Sequence, residues 1–209
     1  MPARIHFPPP IFYLAVIEKG SNIYLVGPMG SGKTTIGQRV AARLKMDFYD
    51  CDRELEKLTG ASVNLIFDVE GESGFRDRES KMLQDLTSRR NVLIATGGGA
   101  VLREENREML KLTGMVVYLQ TSVSQQLQRL RRDRSRPLLQ EGDRGEKLSG
   151  LAAARNPIYE ELADLVYPSR DRSPDITTQS LTKAILSCWE PEKEPACTTD
   201  GDGSPHRAG

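Results

Sequence analysis

What the chain lacks narrows the field first. Its three cysteines, Cys51, Cys188 and Cys197, are an odd number with no CxxC spacing, which argues against a disulfide framework and a zinc site and favours a reducing cytoplasm. There is no net charge: 29 Lys and Arg balance 29 Asp and Glu. No global field therefore points to nucleic acid or a membrane surface, and any anion recognition must be local. No segment offers the run of about 20 apolar residues that spans a bilayer. The apolar stretch at 11–17, IFYLAVI, is too short. With only Arg4 before it and no A-x-A pattern behind it, it is also a poor signal peptide. No internal repeat is visible.

These absences leave one well-buried domain with extensions, since 209 residues are too few for two large cores. Residues 1–21 read as an N-terminal extension, disordered or loosely packed. One origin for it is a start codon assigned too far upstream, with translation beginning near Val16; intact residues 2–15 in the native protein would exclude that. The domain is expected over 22–189. Residues 190–209 are polar, rich in Pro and Gly and without periodicity, the composition of a disordered tail.

What is present is most concentrated at Gly27-Pro28-Met29-Gly30-Ser31-Gly32-Lys33-Thr34-Thr35, a full GxxxxGK[ST] match directly after the apolar run Ile23-Tyr24-Leu25-Val26. Strand, glycine-rich turn and helix in that order make a phosphate-binding loop: the backbone turns tightly enough for successive N–H groups to face one anion, and the helix start adds its positive dipole end. Lys33 is placed to reach the β- and γ-phosphates and the Thr34 hydroxyl to bind Mg²⁺.

Short β-type runs alternate with helical stretches along the rest, the pattern of a parallel sheet covered by helices on both faces. Strands are expected over 23–26, 47–49, 92–95, 116–119 and, more weakly, 165–167. Helices are expected over 33–44, 52–58, 62–68, 74–87, 104–112, 122–132, 145–154, 157–163 and 178–189. In such sheets ligands sit beyond the carboxyl ends of the strands, and polar residues and glycines collect there. Asp50-Cys51-Asp52 follows the second strand. In an extended backbone the two aspartates point the same way, one toward Mg²⁺ and the other toward an acceptor hydroxyl; the plain alternative is that Asp52 is an N-cap. Cys51 points away and reads as packing. Gly97-Gly98-Gly99 follows the third strand and is costly as mere linker, so close approach of its backbone to a ligand would justify it.

Two arginine patterns remain. Arg76 and Glu79 are at i and i+3 on one helix face, either a surface ion pair of little value or a guanidinium held by Glu79 and offered to a carboxylate. The arginine-rich stretch around 129–139 ends in Arg136-Pro137. It reads as a solvated charge run or as a mobile lid, about 131–146, delivering Arg136 to a transferring phosphoryl group. A GTPase would need Asn-Lys-x-Asp, which is absent. A motor or transport ATPase would show apolar residues ending in Asp or Asp-Glu, whereas the third strand ends in Thr-Gly-Gly-Gly. A compact kinase is left, with gluconate-type kinases and a non-catalytic ATP-binding module as alternatives.

The stretches GPMGSGKTTIG, FYDCDRELE, FDVEGESGFRDRE, ATGGGAV, the segment ending in RPLL, and RNPIYEELAD occur in the order found in the shikimate kinases, and the chain resembles that family from about residue 22 to 174. The resemblance implies a three-layer α/β fold with a five-stranded parallel sheet of order 2-3-1-4-5. It also implies a cytoplasmic location and transfer of the γ-phosphoryl of ATP to the 3-hydroxyl of shikimate in aromatic amino acid biosynthesis. Residue by residue, it assigns Gly30, Ser31, Gly32, Lys33, Thr34 and Thr35 to the phosphates, and Thr34 and Asp50 to Mg²⁺. Asp52 falls to the acceptor hydroxyls and their proton. Arg76 and Arg155, with Glu79 orienting Arg76, fall to the shikimate carboxylate, and Gly97, Gly98 and Gly99 to the acceptor. Arg136 falls to the phosphates, and Arg129, Pro174 and Arg172 to adenine. Leu130 departs from a place often polar in the family, which is expected to alter adenine contacts. A monomer is expected, as for small kinases of this size.

Overall fold

The computed structural model describes residues 22–131, 143–169 and 173–189. The expectations for both extensions, for most of the lid with Arg136, and for Arg172 lie outside the described residues. Within them, five parallel strands form one sheet: β1 (Asn22–Val26), β2 (Asp47–Asp50), β3 (Val92–Ala95), β4 (Gly114–Gln120) and β5 (Leu165–Pro168), in the order β2-β3-β1-β4-β5. The register pairs Leu25 with Ala95 and Val117 across the centre of the sheet. All five expected strands are present.

The sheet is covered on both faces because its central strands are apolar on both. Every residue of β1 is buried, and the period-2 alternation of a strand sends Ile23 and Leu25 to one side and Tyr24 and Val26 to the other. The first side packs on α1 (Lys33–Leu44) and α7 (Pro174–Trp189) through Ile36, Val40, Leu181, Ile185 and Trp189. The second packs on α3 (Val63–Thr87), α4 (Glu104–Thr113) and α6 (Arg144–Leu162) through Leu83, Leu86, Leu110, Tyr159 and Leu162. Two further helices, α2 (Cys51–Thr59) and α5 (Val123–Leu130), stand at the strand ends. Ser122 and Gln125 form a reciprocal capping box at the start of α5.

The stretches expected at 62–68 and 74–87 are the two arms of α3, separated at Gly71, whose φ of 69° and ψ of −178° are not helical. Only glycine takes that conformation readily, so the expected break between the two stretches is present. Two other helices differ from the sequence reading. The stretches expected at 145–154 and 157–163 are one helix, α6, which runs through Pro157. Proline in a helix interior loses a hydrogen bond, but Leu148 on one side and Tyr159 and Leu162 on the other are all buried, and that packing carries the helix across. α7 begins at Pro174, four residues earlier than expected, because proline suits the first helical position.

Candidate active site

The phosphate loop joins β1 to α1 with Gly32 as N-cap, at φ 94° and with no side-chain capping hydrogen bond. A left-handed cap without a side chain leaves the first N–H groups of α1 to face an anion. Ser31 is buried beneath them. Lys33 Nζ lies over the loop and donates to Gly27 O at 2.8 Å and Pro28 O at 2.9 Å, which holds the ammonium at the loop's centre. One residue on, Thr34 Oγ1 donates to Asp50 Oδ2 at 2.6 Å. Asp50 also accepts from Arg53 N at 3.3 Å and so is the N-cap of α2. The alternative that made Asp52 the cap is thereby corrected. So is the idea that both aspartates sit on extended backbone: β2 ends at Asp50 and α2 starts at Cys51. The rotation of the first helical turn keeps Asp52 in the cleft, while Cys51 is buried.

Across the cleft, Arg76 is buried on α3, with Nη1 donating to Glu79 Oε2 at 2.6 Å and Nη2 to Glu72 Oε1 at 3.0 Å. The surface-pair alternative for Arg76 and Glu79 is excluded, since their side chains are only 9% and 2% exposed. Burial pushes the Glu79 carboxyl above its ordinary value; Arg76 opposes that and Asp52 adds to it. Burial alone would lower the Arg76 guanidinium, but Glu79 and Glu72 outweigh it and raise its pKa. Arg76 Nε and Glu79 Oε1 are buried without a hydrogen-bond partner.

The glycine triplet accommodates this pair. A Cβ at Gly97 would overlap Glu79 Oε1, and one at Gly99 would overlap the Arg76 guanidinium. The nearest protein neighbours of Gly97 and Gly99 are thus the side chains of Glu79 and Arg76. Gly98 lies between the phosphate loop and α6. Its carbonyl accepts from the Tyr159 hydroxyl and lies 3.5 Å from Arg155 Nη1, with Arg155 itself buried. The loop, both aspartates, Arg76, Glu79, the glycine triplet and Arg155 line one cleft of about 640 Å³.

A second pocket of about 240 Å³ opens on the other side of the loop, bounded by Ser31, Thr35, Arg129, Tyr167, Ser169 and Pro174. Arg129 donates to Gly30 O at 3.1 Å and to Ser169 Oγ at 2.9 Å, tying α5 to both the loop and the end of β5. Leu130 does not face this pocket. It is buried with Leu148, Met29 and Val123, and a Cβ at Gly30 would lie 3.1 Å from its Cγ. Its apolar side chain packs against the phosphate loop and also lines the larger cleft.

A family model described as shikimate kinase matches residues 29–186, three quarters of the chain. The chain belongs to the shikimate kinase family. It is 51% identical over 167 residues to shikimate kinase 1 of Citrobacter koseri, covering 79% of this chain and 96% of that one. Among solved structures it is similar to a shikimate kinase from Acinetobacter baumannii in complex with shikimate. That likeness has a TM-score of 0.79 and 48% identity, covering 81% of this chain and 95% of the other. A deoxyadenosine kinase from M. mycoides, 14% identical with a TM-score of 0.54, shares the fold alone. The architecture is the three-layer phosphate-loop kinase fold, and the protein is a kinase that uses ATP.

Some contributors to this kinase's cleft went unread in the sequence. Glu72, the second acid on Arg76, is at i−4 from it, a spacing that could have found it. Phe67 and Phe75, with ring centroids 4.4 Å apart, line the cleft, and the Arg76 guanidinium lies 5.2 Å from the centroid of Phe75. Tyr159, fully buried, enters the sequence reading only within RNPIYEELAD. No helix among the described residues is long and apolar enough to cross a membrane.

Proposed function

We propose that the protein transfers the γ-phosphoryl of ATP to the 3-hydroxyl of shikimate, giving shikimate 3-phosphate and ADP. In that step the bond from γ-phosphorus to the β,γ-bridging oxygen breaks and one to O3 forms, while the O3 proton leaves. The observation that carries the reading is a buried guanidinium held by two acids, Arg76 with Glu79 and Glu72, in the same cleft as a complete phosphate loop. A chain without net charge has this cation in place for an anionic acceptor. The acceptor bound in the A. baumannii relative is of that kind.

In this reading Arg76 and Arg155 pair with the acceptor carboxylate, since a planar fork binds a carboxylate by two bonds. Glu79 orients Arg76, and Gly97, Gly98 and Gly99 form the acceptor's floor. Asp52 accepts from the reacting hydroxyl and takes its proton. The N–H groups from Gly30 to Thr35 cradle the phosphates, and Lys33 exchanges its loop carbonyls for phosphate oxygens. Arg136 neutralises the transferring group, while Arg129, Arg172 and Pro174 flank adenine. Mg²⁺ fits the pair Thr34 and Asp50, whose oxygens are already adjacent: this ion takes one or two protein oxygens and completes its shell with water and phosphate. It would supply charge neutralisation at the phosphates. We further propose a monomer, as for small kinases of this size. The cysteines Cys51 and Cys188 are both free, which agrees with a cytoplasmic setting.

The test is ADP release from the purified protein with MgATP and shikimate, quinate, gluconate or no acceptor. Turnover with shikimate alone is the expected result. Turnover with gluconate would replace the acceptor, and ATP binding without acceptor-dependent turnover would replace the enzyme by a binding module.

A further inference from the structure

We propose that Tyr159 is a positioning residue for the acceptor, acting through the Gly98 carbonyl; the inference rests on the acceptor reading just given. Tyr159 stands four residues after Arg155 on α6, a spacing that puts both side chains on one helix face. Both reach the same backbone oxygen: the Tyr159 hydroxyl donates to Gly98 O, and Arg155 Nη1 lies 3.5 Å from it. The hydroxyl is itself held in place. The ring is fully buried and stacks on Tyr118 with centroids 5.0 Å apart. The Tyr118 hydroxyl in turn donates to Asn156 Oδ1 at 3.2 Å, beside Arg155. Burial also holds the Tyr159 phenol well above its ordinary pKa, so it remains a donor at any pH at which the enzyme would be assayed.

Gly98 is the joint between the two halves of the cleft. A Cβ there would lie 3.5 Å from Gly27 O and 3.6 Å from Met29 N on the phosphate-loop side, and 3.8 Å from the Tyr159 hydroxyl on the other. A residue without a side chain does little to fix its own peptide planes. The Tyr159 hydroxyl supplies that restraint from outside, anchoring the 98–99 peptide and with it the floor against which Arg76 and Arg155 are set. The ring is core packing; the hydroxyl is the part that serves the site.

Tyr159→Phe keeps the ring and its stack and removes only the donor. With Tyr159→Phe, the KM for shikimate is expected to rise roughly tenfold, the order expected when a buried acceptor loses its donor. ATP affinity by calorimetry and the pH profile should stay unchanged. Tyr118→Phe, which leaves the Tyr159 hydroxyl on Gly98, should change KM by less than about twofold. A lowered thermal midpoint with unchanged KM in Tyr159→Phe would make the residue purely structural and overturn the proposal. So would equal rises in the two variants, which would indicate general loosening of the tyrosine stack. Absence of shikimate-dependent turnover in the wild type would overturn the acceptor reading and this inference together. Wild-type turnover with an unaffected Tyr159→Phe would overturn this inference alone.

Discussion

The two halves of the cleft are built from different materials. The phosphate half is one contiguous stretch in which the backbone is the working surface, with Gly32 as a left-handed cap at the head of α1 and Lys33 on the loop's own carbonyls. The half proposed above for the acceptor is made of side chains from separate elements: Asp52 on α2, Arg76 and Glu79 on α3, Arg155 and Tyr159 on α6, meeting at a glycine turn after β3. Backbone donors come with the local fold, whereas the side-chain clamp exists only if three helices pack correctly. Damage to the first half should therefore appear in the chemistry, and damage to the second in acceptor binding.

The largest break in that contrast is expected from Lys33→Ala. Losing one preorganised charge at the transferring group should lower kcat by about a hundred- to a thousandfold, with shikimate affinity by calorimetry unchanged. Comparable losses in both readouts would mean that the halves are not separable.

Gly99→Ala is the sharper probe of the acceptor half. Gly99 has φ −104°, so alanine suits the backbone, and the substitution acts only through its methyl group on the Arg76 guanidinium. It should reproduce Arg76→Ala: a charge-assisted bond worth about 1.5–3 kcal/mol is lost, and the KM for shikimate rises roughly ten- to a hundredfold while that for ATP is unchanged. An unaltered KM in both variants would remove Arg76 from the acceptor.

A smaller, pH-dependent effect attaches to Glu79. Its carboxyl lies above its ordinary value of 4.5 in the folded protein because of burial, so between that value and the raised one the folded state holds more proton than the unfolded state. Stability from this group is full below about 4.5 and declines as pH rises through the raised pKa. Glu79→Gln abolishes that decline, so urea unfolding across pH 4–8 should show the variant gaining on wild type as pH increases. A constant difference would contradict the sign.

The smallest effect is expected at a glycine that serves neither half. Gly150 is exposed within α6, and a Cβ there meets nothing within 4 Å. Gly150→Ala should stabilise the protein by about 0.5–1 kcal/mol and leave the kinetics unchanged, checked by thermal unfolding beside the ADP-release assay.

The order and type of the five strands, and the phosphate loop, were legible because they are local. Short apolar runs, a glycine pattern and a lysine at fixed spacing need no partner far away in the chain. Helix ends were legible only in part: the break at Gly71 falls between two expected helices, whereas the passage of α6 through Pro157 depends on what the two halves of that helix pack against. The Arg76–Glu79 spacing was visible, but its meaning was not, since the same i, i+3 pair is a weak surface bridge or a buried clamp according to exposure alone. Phe67, Phe75 and the hydroxyl of Tyr159 became visible only in three dimensions.

By itself, then, the sequence determined a parallel α/β sheet, a phosphate-binding loop at its centre and, through the ordered motifs, the family. Only the tertiary structure decided which residues act together beyond that loop. Asp50 rather than Asp52 caps α2, Leu130 braces the phosphate loop, and Gly97 and Gly99 make room for Glu79 and Arg76. The physical reason is range: backbone donors are placed by residues adjacent in the chain, while the burial that gives a charge its strength is placed by helices dozens of residues apart.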